Sequence, residues 1–130
     1  MGISIIGGGG GGGSAELTTA QKQSLPPSVI PNAQLPAGDR VGFRMVIPSG
    51  YKMQVWRGGV IDNSGNAPAA VHLQVRDSGG VAIINISSTD TTGTPIGSIS
   101  TAGVYNVVVI NNTAGQKNLS GHITYTIEAV

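Results

Sequence analysis

The acid–base groups of this 130-residue chain are two histidines and six carboxylates, and it contains no cysteine. Without cysteine there is no disulfide framework, no thiolate zinc site and no cysteine nucleophile. His72 stands on the polar side of an alternating run with Gln74 and Arg76, and His122 shares a face with Thr124, Thr126 and Glu128. Neither has the H-x-x-x-H or H-E-x-x-H spacing of a metal pair, and no G-x-S-x-G nucleophile elbow occurs. Asp62, Asp77 and Asp90 fall in turn-like segments, where aspartate is favoured for bonding its own backbone. No D-x-D-x-D-G calcium pattern accompanies them. The expectation is a non-enzymatic protein without metal or cofactor.

The glycine tract raises a different chemistry. "ISIIGGGGGGGSAEL" (3–17) has the letters of a strand, a phosphate-cradling loop and a helix start, and Gly7, Gly9 and Gly12 satisfy G-x-G-x-x-G. That fingerprint works only inside a parallel βαβ unit, with an acidic residue ending the second strand about 20 residues on. Here the corresponding segment holds Pro26, Pro27, Pro31 and Pro36, which a central parallel strand does not accept. No lysine follows the glycines, so a Walker loop fails as well. The tract reads instead as a side-chain-free segment with an apolar tip, and Ile3, Ile5, Ile6, Gly7, Gly10 and Gly13 are its candidate assembly residues.

Trp56 is the chain's single tryptophan. Simple alternation puts it outward, on the face of Lys52 and Gln54. It is then an interface anchor, since tryptophan is enriched at contact hot spots, or a platform for stacking a sugar. It is otherwise half-buried beneath a loop or rotated inward by a bend at Gly58–Gly59.

Composition narrows the partners. Seven basic and six acidic residues give a net charge of +1, and the basic residues are scattered along the chain, unlike the clustered footprint of nucleic-acid binders. No run of about 18 apolar residues signals a membrane span. The start lacks the basic n-region and the apolar stretch of a signal peptide, so the expectation is cytosolic synthesis without export by that route. The sequons at Asn85, Asn111 and Asn118 read as incidental in a chain rich in Asn, Ser and Thr.

Behind these residues the chain divides near residue 38. Residues 1–38 read as a Gly/Pro-rich assembly arm. It contains a short helix in "LTTAQKQSL", with Thr18 as N-cap and Gln21 at capping-box spacing. Pro26 and Pro27 end the helix, and an extended polyproline-like connector follows. Residues 39–130 read as a β-domain. Strand runs with turn signals every 8–15 residues, and no helix between them, give an all-β antiparallel sandwich or jelly-roll-like fold of seven or eight strands. "VAIINIS" (81–87) and "VYNVVVIN" (104–111) are apolar on both faces. Such strands are either central and covered on both sides, or meet a neighbouring subunit.

The glycine arm "IIGGGGGGGSAEL", the connector "LPPSVIPNAQLPAG" and the charge-poor end "AGVYNVVVINNTAGQKNLSGHITYTIEAV" resemble the small β-sandwich structural proteins of virions: head decoration, turret or fibre proteins of tailed viruses. The resemblance implies a homo-oligomeric, non-enzymatic subunit located in the virion, anchored to other capsid or tail proteins, with a sandwich that can touch host surface glycans. It transfers no functional residue. Two alternatives stay open: an extracellular filament subunit using strand donation, and a carbohydrate-binding module.

Overall fold

The computed structural model describes residues 17–68, 71–87, 89–90 and 93–130. The tip and glycine positions Ile3, Ile5, Ile6, Gly7, Gly10 and Gly13 lie outside them. A short helix, α1 (Thr19–Gln23), precedes eight strands: β1 (Ser28–Leu35), β2 (Arg40–Ile47), β3 (Tyr51–Asp62), β4 (Val71–Asp77), β5 (Ala82–Ile86), β6 (Gly97–Ile99), β7 (Gly103–Asn111) and β8 (Lys117–Ala129).

The strands form two four-stranded antiparallel sheets, ordered β1-β8-β3-β6 and β2-β7-β4-β5. Strand β1 pairs with β8, β2 with β7, β3 with β6 and β4 with β5. The chain is thus one long hairpin, folded at the β4–β5 turn and rolled until β8 meets β3 and β7 meets β4. This is the eight-stranded jelly roll. At the hairpin tip the Asp77 carboxylate accepts the backbone N–H groups of Gly79 and Val81, each at 2.9 Å. Gly80 supplies the positive φ (86°) that closes the turn.

Strand β1 corrects the reading of the proline-rich segment. Residues 28–35 do not form a free connector; they are an edge strand of the first sheet, and the sandwich therefore begins before Asp39. An edge strand tolerates missing donors, and Pro31 falls where the β1–β8 register shifts, between Ile30 and Ala33. Ile30 and Leu35 are buried in the core beside it. The capping box expected at α1 is present: the Gln21 backbone N–H donates to Thr18 Oγ1 at 3.2 Å, and the Thr18 backbone N–H to Gln21 Oε1 at 2.8 Å.

The core lies between the sheets. Met53, Val55, Val60, Leu119 and Ile123 of one sheet meet Ile47, Leu73, Val75, Val107 and Val109 of the other. Two glycines make the close approach possible. A Cβ on Gly121 would stand 2.5 Å from Val109 Cγ2, and one on Gly58 would stand 2.8 Å from Ile86 Cδ1. Buried Asn111 closes the end of the barrel. Its amide donates to the carbonyls of Leu35 and Gly115, each at 2.9 Å, tying the β1–β2 corner to the β7–β8 loop.

The two doubly apolar runs take different positions. β7 is an inner strand, with Val107 and Val109 in the core and Val108 and Ile110 buried on the other face. β5 is an edge strand, and Val81 beside it and Ile83 within it are exposed.

Overpacking at a tight core position costs about 1–3 kcal/mol. Gly121→Ala is expected to lower stability by that order, read as a fall in thermal midpoint. Gly115→Ala, at a loop position where a Cβ meets nothing within 4 Å, is expected to leave the midpoint unchanged.

Candidate functional site

One extra residue in β3 builds the most elaborate side-chain cluster among the described residues. Against β8, Val55 pairs with Tyr125 and Arg57 with Thr124, so Trp56 has no opposite number. Such a bulge re-aims side chains. Val55 before it and Gly58 after it face the core, whereas Trp56 and Arg57, though consecutive, both turn to the outer face. The irregularity thus sits at Trp56 and not at the Gly58–Gly59 pair expected to bend the strand.

On that face β8 presents Thr124, Thr126 and Glu128 at alternate positions. Trp56 Nε1 donates to Thr126 Oγ1 at 3.1 Å, and the Thr126 hydroxyl donates to Glu128 Oε2. Arg57 Nη2 donates to Thr124 Oγ1 at 3.3 Å.

Helix α1 covers this cluster. A helix of five residues has too few internal bonds to hold itself together, so its contacts with the sheet must hold it. Lys22 reaches down to Glu128 Oε1 at 2.8 Å, with its ammonium 5.2 Å from the centre of the Trp56 ring. Arg57 donates to the Leu25 carbonyl at 3.0 Å, just past the helix end, where backbone acceptors lack helical partners. Lys22 is only 7% exposed and Trp56 only 3%.

Trp56 therefore lies on the side that alternation gave it but is covered. A stacking platform needs an open ring face, so in this structure Trp56 offers none to a sugar or a separate subunit. The partner it does contact is the chain's own helix.

Electrostatics follow from this cover. Burial works to raise the Glu128 carboxyl, but hydrogen bonds from Lys22 and Thr126 and the charges of Lys22 and Lys52 outweigh it and hold the group below its usual range. His122, on the same face of β8, is pushed below its usual value by burial and by the neighbouring Arg57. Among the described residues, Arg57 Nε and Gln23 Nε2 are buried without a hydrogen-bond partner. Among the described residues no group of three or more His, Asp or Glu side chains is placed to hold a metal, and no helix is long and apolar enough to cross a membrane.

The sequence showed His122, Thr124, Thr126 and Glu128 as one face. It gave no sign that Lys22, 106 residues from Glu128, would close over it.

A scan against protein-family models finds no match to this chain, and neither does a search of curated proteins.

Removing one member of a buried ion pair leaves the other charge without its partner, whereas replacing both by apolar groups is far less costly. Lys22→Met and Glu128→Leu are each expected to destabilise by about 3–5 kcal/mol, and the double variant by less than their sum, in a denaturant double-mutant cycle.

The pH response has a defined sign. Glu128 and His122 both bind protons less tightly in the folded state, so each supports the fold above its unfolded value and loses that contribution as pH falls through its folded one. The His122 contribution begins to fade below 6.5 and the Glu128 contribution below 4.5. Acidification below 4.5 is expected to shift the Trp56 emission to the red as α1 lifts. In Glu128→Gln that acid step should be absent.

Proposed function

We propose that this chain is a non-enzymatic structural subunit of a viral particle, of the decoration, turret or fibre kind, which assembles through its N-terminal arm. The observation that carries the reading is the mount beneath α1. The residues that follow the glycine tract are fastened to the sandwich by the Lys22–Glu128 ion pair and by the Arg57 bond to Leu25. An arm leaving from a fastened point transmits load to two long paired strands, β3 and β8, rather than to a loose tail.

The jelly roll adds support, since it recurs in viral capsid proteins, although it also serves lectin domains and cupins and does not by itself carry a function. Seven successive glycines between an isoleucine tip and this mount suit a segment that packs among neighbours in a crowded shell. The partners on this reading are other copies of the chain and the capsid or tail proteins beneath them.

A second reading, an extracellular filament built by strand donation, is favoured by β5. Among the described residues it is an edge without a further strand, with Val81 and Ile83 exposed beside it and within it, the kind of edge to which a strand can be added.

Deleting residues 2–13 tests the first reading. The full chain is expected to sediment as a multi-copy species and the shortened chain as a monomer with an unchanged thermal midpoint. Assembly of the shortened chain to the same size would overturn it.

A further inference from the structure

The outer face of the second sheet collects what the sequence scatters. Register places Arg44 of β2, Asn106 of β7 and Arg76 of β4 in one row across three strands. Neighbouring strands lie about 4.8 Å apart, which sets the two arginine backbones roughly 10 Å apart with Asn106 between them. The next row on this face is Gly42, Val108 and Gln74, and Arg40 stands beyond Gly42 on the same strand.

Gly42 has no side chain to raise there. A Cβ would stand 1.9 Å from the Val107 carbonyl oxygen, so β2 lies tight against β7. The result is an open recess of about 530 Å³ lined by Arg40, Arg44, Arg76, Asn106 and Val108. This volume lies within the range of small-molecule sites.

The arginines are uncommitted to any acid. Among the described residues no carboxylate lies within ion-pair distance of Arg40, Arg44 or Arg76. Asp77 also lines the recess, but one of its oxygens accepts two N–H groups of its own turn. Arg76 is held in place: its Nε donates to Gln74 Oε1 at 2.8 Å, and Gln74 Nε2 donates to Asn85 Oδ1 at 2.7 Å. That chain orients the guanidinium and engages only Nε among its donors.

Three guanidinium groups donate and accept nothing, so the ligand must be rich in acceptors. Their forks match a planar carboxylate in two-point contact. The Asn106 amide between them suits hydroxyl or ring oxygens. In the row beyond Arg44, the paired Val46 and Val104 are exposed and offer an apolar shelf beside the charged row. A sugar acid pairs its carboxylate with ring oxygens that accept and hydroxyls that can both accept from the guanidinium groups and donate to Asn106 Oδ1, and its apolar ring face matches the valine shelf. The geometry points to a binding site for a carboxylate-bearing saccharide of the uronic-acid class, its carboxylate between Arg44 and Arg76 and its apolar flank toward Val46 and Val104. This site is on the opposite face of the sandwich from the α1 mount and does not depend on the assembly reading.

Calorimetric titration of the full chain with trigalacturonate tests the proposal, with its methyl ester, inorganic sulfate and a hexaglutamate peptide as comparison ligands. Binding of trigalacturonate is expected to weaken about tenfold or more in Arg44→Ala and in Arg76→Ala, and on methyl esterification. Arg44→Lys, which keeps the charge and loses the fork, is expected to weaken it as well. No binding of trigalacturonate, equal binding of the ester, unchanged binding by either alanine variant, or tighter binding of sulfate or hexaglutamate would each overturn the proposal.

Discussion

The placement of one unpaired residue in β3 governs the first sheet. With Trp56 inserted opposite no partner, the strand changes which residues face inward: Met53 and Val55 before it, Gly58 and Val60 after it. Without the bulge, a strand long enough to pair with β8 from Tyr51 to Asp62 would carry half of its core residues onto the wrong face, because side chains alternate with a period of two. The same insertion turns two large polar-tipped side chains outward together. They have partners there because β8 carries Thr124, Thr126 and Glu128 in step. A bulge that keeps the core in register thus also makes the seat for the helix.

The rolled hairpin depends equally on what is missing. Gly58 and Gly121 leave room where Leu73, Ile86 and Val109 of the opposite sheet press in, and Gly42 lets β2 approach β7. A chain with few aromatic residues fills its core mainly with Val, Ile and Leu, and small positions facing branched ones let the two layers interlock. Asn111 does the corresponding work in polar terms. It is fully buried, yet its donors and acceptor are all engaged by the corner it closes, so its burial carries no unmatched polar group.

Charge is scarce in this protein, which makes its placement informative. On the outer face of the first sheet an opposite pair is buried under α1 and bound to one another. On the outer face of the second sheet three like charges surround an open recess and are bound to no acid among the described residues. The first arrangement joins one part of the chain to another. The second is lined by Val108, buried among polar neighbours, and on the reading given above its guanidinium groups serve a ligand.

Alternation and turn chemistry by themselves determined the antiparallel sandwich, the turn at Asp77–Gly80, the α1 capping box and the shared face of His122, Thr124, Thr126 and Glu128. These are local matters, set within a few residues by side-chain period and backbone preference. Tertiary structure decided the rest. The proline-rich segment became β1 because an edge position beside β8 accepts what a central strand refuses. Trp56 was on the expected side but not on the surface, since only the packing of α1 could cover it. Arg40 and Arg44 could be read onto one face of β2, but Arg76 joined them only when β7 came between β2 and β4. The meeting of Lys22 with Glu128 and of Arg44 with Arg76 is a consequence of register between distant strands and of packing across sheets, which no local stretch of sequence encodes.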